Sequence, residues 1–201
     1  MALSLAFSRL PQAPLMSLQQ YTDEVERQLL AGIAGGDLGA FETFYRIYHP
    51  RLLRFVLRTS RAMEQAEDLI QETLLLVWEN PTRFSGTSKV STWVFGIAYN
   101  KMLKALSKAS RRRSDVDIAD MEEVLGDPLG DFSARAEARD WLEQALEQLS
   151  AEQRAVVDLT FSHGMSYEEI ALVLDCPENT VKTRMFHARR KLQAFADAQG
   201  I

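Results

Sequence analysis

The chain has one cysteine, Cys176, in 201 residues. That excludes an intramolecular disulfide and any thiolate cluster for zinc, and it suits a reducing, cytoplasmic setting. The histidines are equally sparse: His49, His163 and His187 lie far apart with no HExxH-type pairing. No metal centre is expected, and they read as surface or structural residues. No run of about 18 apolar residues is present to cross a bilayer. The segment before Asp23 has neither the basic start nor the long apolar stretch of a signal peptide, and Pro11 and Pro14 interrupt it. Residues 1–22 therefore read as an extension outside the folded part, with Met16 as a second candidate start. His, Cys, Ser and paired carboxylates nowhere adopt catalytic spacing, so neither an enzyme nor a cofactor is implied.

Strict alternation of apolar and polar residues, the mark of a half-buried strand, is missing as well. Apolar residues instead recur at helical spacing almost throughout, and an all-α fold follows. The spacing predicts helices over Asp23–Gly35, Leu38–Thr59 with a kink or break near Pro50, Glu64–Asn80, Ser91–Ala109, Ala134–Leu149, Ala151–Ser162, Tyr167–Leu174 and Glu178–Ala198. A net charge of -5 would argue against a nucleic-acid partner if it were spread evenly. It is not. Asn100–Arg113 carries six bases and no acid, and Ser114–Phe132 carries seven acids and no base. This switch closes a first helical domain at 23–113 and begins an acidic linker at 114–133, after which a second small helical domain spans 134–201.

Function-bearing patterns occur in three places. On the helix after Ser91, Phe95, Tyr99, Met102 and Leu106 share one side, while Ile97, Lys101, Lys104 and Lys108 lie roughly opposite, beside Trp93 and Asn100. An aromatic among lysines can stack on an unpaired base while the cations hold phosphates, and the preceding loop adds Arg83, Phe84 and Lys89. The helix from Glu64 to Asn80 is different. Ala66, Leu69, Ile70, Thr73, Leu74 and Val77 form a buried stripe, and Asp68, Gln71, Glu72, Leu75 and Glu79 form an acidic outer face that suits a basic protein partner or plain solvent.

The third pattern is a helix-turn-helix. Ser150-Ala-Glu-Gln153 and Ser166-Tyr-Glu-Glu169 are capping boxes, Gly164 closes the intervening helix, and Pro177 opens the last one. On that last helix Val181, Met185, Ala188 and Leu192 face inward. Asn179, Lys182, Thr183, Phe186, His187 and Arg190 then face out, and an exposed Phe186 among cations fits thymine methyls in a major groove.

With these residues in view, the chain resembles the extracytoplasmic-function (ECF) sigma factors of RNA polymerase over nearly its whole length past Asp23. Ala66-Glu-Asp-Leu-Ile-Gln-Glu-Thr73 followed by Trp78 is similar to the family's region-2 helix that docks on core polymerase, which would make Asp68, Gln71, Glu72, Leu75 and Trp78 polymerase contacts. The segment from Phe84 to Lys101 resembles the part that captures the melted minus-10 strand, implying contacts by Arg83, Phe84, Lys89, Trp93, Asn100, Lys101, Lys104 and Lys108. Gly96 stands where members often carry a base. Leu159 to Leu192 is similar to region 4, which reads the minus-35 element, here through Asn179, Lys182, Thr183, Phe186, His187 and Arg190; His187 stands where arginine is common. The resemblance implies a two-domain, non-catalytic specificity subunit whose partners are core polymerase, promoter DNA and an anti-sigma factor, without membrane insertion. A free-standing helix-turn-helix regulator is the alternative, and it leaves the tryptophan and lysine stripe unused.

Overall fold

The computed structural model describes residues 22–60, 66–114, 141 and 143–199. Helix α1, Asp23–Ala34, starts at Thr22, whose hydroxyl accepts from the Val25 amide at 3.5 Å, and three acids in its first turn complement the positive helix end. Gly36, at a φ of 81°, turns the chain into α2, Leu38–Ser60. There Asp37 accepts from the amides of Gly39 and Ala40 at 2.8 and 3.3 Å, supplying the cap. Of the kink or break expected near Pro50, no break occurs: α2 continues through it. Proline inside a helix costs about 3 kcal/mol, but Tyr48 and Leu52, on either side, are fully buried and hold both halves to the core.

Helix α3, Ala66–Glu79, buries the six residues of its predicted stripe. A 3-10 turn at Pro81–Arg83 leads through a loop into α4, Val90–Ser114, which extends past the predicted end at Ala109. Phe44, Tyr48, Leu52 and Phe55 of α2 meet Ile70 and Leu74 of α3 and Val94, Phe95 and Ala98 of α4, all fully buried. The acidic linker lies outside the described residues beyond Ser114, as does half of the predicted helix Ala134–Leu149, of which 141 and 143–147 are helical.

The second unit consists of α5, Ala151–Phe161, α6, Tyr167–Leu174, and α7, Glu178–Gln199. Both predicted capping boxes form: Ser150 with Gln153 and Ser166 with Glu169 exchange side-chain and backbone bonds in both directions. Asp175, at a φ of 48°, ends α6 and starts the tight turn into α7.

The two units do not stand apart. Helix α4 lies against α6 and α2 against α5, and one apolar core runs from Phe55 and Phe95 to Leu159, Ile170 and Val173. At the seam Gly96 approaches α6 so closely that a Cβ there would lie 3.8 Å from the Val173 Cα. Polar groups close the rim. Arg58 reaches Asp158 at 3.0 Å, the Arg154 guanidinium donates twice to the Thr59 carbonyl at 3.1 and 3.0 Å, and Lys89 meets Glu169 at 2.7 Å. His163, its side chain 4% exposed, places its ring 4.4 Å from Phe95 and its Nε2 3.3 Å from Asp158.

Candidate polymerase and nucleic-acid surfaces

Because α3 and α4 pack side by side, the acidic face of one and the basic stripe of the other border the same groove, with a volume of about 620 Å³. Asp68, Glu72 and Leu76 form one wall. Arg83, Trp93, Ile97, Asn100, Lys101, Lys104 and Lys108 form the other. The amphipathic division of α4 explains this: Phe95, Tyr99 and Met102 are buried, and the residues opposite are left to the groove. Trp93 is half-buried with its ring 5.5 Å from Phe84, so the two aromatics form one apolar floor at the groove mouth. Asn100, Lys104 and Lys108 are exposed, whereas Lys101 is half-buried and donates to Glu72 at 2.8 Å.

On the outer side of α3, Asp68, Gln71 and Glu72 are exposed and Leu75 is half-buried. Trp78 leans inward, its ring 5.0 Å from Phe41 of α2, and offers only part of its surface outward. Lys89 is exposed but turned to region beyond α4, where Glu169 holds it. That hydrogen bond raises the Lys89 pKa. Burial pushes the Glu169 carboxyl up, but Lys89 and the Ser166 amide outweigh it and the net shift is downward.

Helix α7 carries the third surface. Val181, Met185 and Ala188 are buried beneath it, and Leu192 is half-buried. Asn179, Lys182, Thr183, Phe186, His187 and Arg190 are all exposed on the opposite side. Phe186 is 58% exposed, with the Arg190 guanidinium 5.8 Å from its ring centre. Thr183 donates to the Asn179 carbonyl at 2.9 Å, and Lys182 pairs with Glu178 at 2.8 Å, which raises its pKa. This face stays open even though α6 is pressed against α4.

Periodicity missed the seam. Arg58 with Asp158 and Arg154 with Thr59 join residues 100 and 95 positions apart, and no local pattern pairs them. Burial pushes the Asp158 carboxyl up, yet the adjacent His163 ring and the hydrogen bonds from Ser162 and Arg58 hold it below the usual range. The one sequence signal was Gly96 in mid-helix, a position that otherwise costs about 0.5–1 kcal/mol against alanine. Among the described residues no cluster of three or more His, Cys, Asp or Glu could hold a metal ion, and no helix is long and apolar enough to cross a membrane.

Comparison with known proteins joins these surfaces to a family. The profile described as Sigma-70 region 2 matches residues 44–112, and that described as Sigma-70, region 4 matches residues 139–192. The RNA polymerase sigma-H factor of Pseudomonas aeruginosa is 33% identical over 180 residues, covering 85% of this chain and 93% of that protein. The ECF RNA polymerase sigma factor SigM of Mycobacterium tuberculosis is 33% identical over 167 residues, covering 83% of this chain and 82% of SigM. Among solved structures, the sigma factor RpoE of Bartonella quintana, in complex with the anti-sigma factor NepR, superposes with a TM-score of 0.67 at 31% identity, covering 78% of this chain and 96% of RpoE. CnrH, in complex with the cytosolic domain of CnrY, superposes with a TM-score of 0.61 at 26% identity, covering 87% of this chain and 98% of CnrH. A free-standing regulator has no use for the region-2 half, and these likenesses span both halves in one order. The chain belongs to the ECF sigma factors, the non-catalytic subunits that direct RNA polymerase to its promoters.

Proposed function

We propose a division of labour among the three surfaces. Asp68, Gln71, Glu72 and Leu75 on the outer face of α3, with the exposed edge of Trp78, dock on core polymerase. Arg83, Phe84, Lys89, Trp93, Asn100, Lys101, Lys104 and Lys108 capture the melted minus-10 strand. Stacking on the Phe84 and Trp93 floor is worth about 1–3 kcal/mol per base, and the lysines hold phosphates. Asn179, Lys182, Thr183, Phe186, His187 and Arg190 read the minus-35 duplex from the major groove. The observation that carries this reading is the shared groove, in which an aromatic floor, an amide and a row of cations line one continuous wall.

The closed arrangement cannot serve both promoter elements at once. Elements about 25 base pairs apart are separated by roughly 85 Å at 3.4 Å per pair, whereas a compact body of about 145 residues, those described, is only about 40 Å across. The two units must part along the seam when polymerase and promoter are engaged. Overall acidity keeps the free subunit off DNA until polymerase adds its own positive channel.

The site of action is the cytoplasm, where polymerase works. An anti-sigma factor is a further proposed partner, since one solved relative was captured with such a protein.

Promoter-dependent transcription by core polymerase with and without this protein tests the scheme. Wild type should confer initiation at discrete start sites. The Trp93→Ala, Lys101→Ala, Lys104→Ala variant should bind core yet open DNA at least about a hundredfold less well, given the stacking and phosphate contacts removed. Binding to duplex DNA alone, with neither core binding nor initiation, would refute it.

A further inference from the structure

The loop 84–89 and the first turn of α4 present the aromatic floor, yet Ser85, Gly86 and Thr87 are exposed. Their order is imposed by α1. The Arg27 guanidinium donates to the Ser88 carbonyl at 2.8 Å and to the Gly86 carbonyl at 3.5 Å, and lies 5.2 Å from the centre of the Phe84 ring. Its Nε meets Asp23 Oδ2 at 2.7 Å, and the other oxygen of Asp23 accepts from the Val90 amide at 3.1 Å. Val90 opens α4, so its amide is one of the donors a helix leaves without an internal partner. A carboxylate on another helix thus caps α4, and a planar guanidinium spans two carbonyls and an aromatic face, a combination open to arginine and not to lysine.

We infer that Asp23 and Arg27 are positioning residues for strand capture: they fix the loop and the Phe84 and Trp93 floor in the shape that the displaced strand meets. The inference rests on the strand-capture reading above. Gly86 fits the same device. Its φ of 79° disfavours any side chain, and a Cβ there would lie 3.6 Å from Arg27 Nη1. In the closed state Lys89 has a second tether, Glu169. When the units part that tether is lost, and the clamp from α1 is what keeps the loop ordered before the strand arrives. A binding loop that is already ordered does not spend binding energy on its own ordering, and this is where the clamp acts on affinity.

Holoenzyme assembled with wild type, Arg27→Ala, Arg27→Lys, Asp23→Asn or Trp93→Ala provides the test. Three quantities are read: amide hydrogen exchange over 85–93, affinity for a single-stranded oligonucleotide copied from the non-template strand upstream of a start site mapped with wild type, and affinity for the minus-35 duplex of that promoter. Arg27→Ala should speed exchange over 85–93 and weaken the single strand about tenfold while leaving the duplex within about twofold. Arg27→Lys, which keeps the charge and loses the fork, should fall between. Should Arg27→Ala fail to fold, Arg27→Lys and Asp23→Asn carry the same comparison.

Unchanged exchange overturns the inference, as does equal loss on single strand and duplex, which would mark general destabilisation. Faster exchange with full strand affinity also overturns it, and leaves strand capture standing if Trp93→Ala loses the strand. If Trp93→Ala keeps the strand too, the strand-capture reading itself falls, and the clamp with it.

Discussion

The two DNA-facing surfaces differ in how ready they are. On α7 the reading face is finished: Asn179, Thr183, Phe186, His187 and Arg190 are exposed while the units are closed, and packing beneath the helix sets their directions. Among the proposed strand-capture cations two already have partners, Lys101 in the groove with Glu72 and Lys89 outside it with Glu169. Duplex reading therefore needs access and the release of Lys182 from Glu178 on its own helix, whereas strand capture must break pairs made between different elements. Each exposed pair is worth only about 0–1 kcal/mol, so the exchange is inexpensive once phosphates compete. Glu72 also lies on the proposed polymerase face. Its engagement by polymerase would free Lys101, coupling docking to capture through one carboxylate.

The sharpest way to break this comparison is to open the seam. Gly96→Arg should drive a long side chain into the α6 backbone at Val173 and part the units. Small-angle scattering of the free protein should then show a larger radius of gyration, and holoenzyme activity should survive because the active form is open. Gly96→Ala is the control. Its Cβ makes an ordinary contact, so the seam should hold, and melting should rise by the equivalent of about 0.5–1 kcal/mol from helix propensity.

Acid should open the same seam more gradually. The Asp158 carboxyl is depressed in the folded protein, so it binds protons more readily unfolded than folded. Its stabilisation is complete above the ordinary aspartate value near 3.9 and is lost as pH falls through the lower folded value. Glu169, also depressed, acts in the same direction from an ordinary value near 4.3. Scattering between pH 7 and pH 3 should show constant compactness down to about pH 4 and expansion below it. Asp158→Asn should already be loosened at pH 7, because Arg58 and His163 lose the charge they face.

What the sequence carried and what it did not divide along a physical line. Local rules place the stripe Ala66, Leu69, Ile70, Thr73, Leu74 and Val77 and both capping boxes, and all of them form. These depend on residues within a turn or two of one another. Of the kink or break expected at Pro50 the break is absent, because its local penalty is overridden by the burial of Tyr48 and Leu52, a tertiary effect. The shared groove, the seam and the α1 clamp bring together residues distant in sequence, such as Arg27 with Ser88 and Arg58 with Asp158, at positions where each partner alone looks like an ordinary polar or charged surface residue. Gly96 was visible as a departure from the family pattern, but only the approach of Val173 shows what the missing side chain makes room for.

On the finished surface, Phe186→Ala should weaken minus-35 duplex binding by about 1–2 kcal/mol, roughly five- to thirtyfold, in fluorescence anisotropy with the holoenzyme. Single-strand affinity should stay unchanged, which keeps the two surfaces separable.

The smallest effect tests the gated surface. Glu169→Gln retains the capping box, as Gln153 does at the start of α5, because an amide oxygen can still accept from the Ser166 amide. It removes the charge that holds Lys89. The free protein should bind a single-stranded minus-10 oligonucleotide about two- to fivefold more tightly, the span of an exposed ion pair worth up to about 1 kcal/mol. Raising salt should shrink the difference, since the pair it abolishes is itself screened. Glu169→Ala adds the loss of the cap, about 1 kcal/mol of α6 stability, and should lower the melting temperature further than Glu169→Gln does. Equal strand affinity in wild type and Glu169→Gln would mean that Lys89 is not held back from the strand, and the contrast between a ready surface and a gated one would then rest on Lys101 and Glu72 alone.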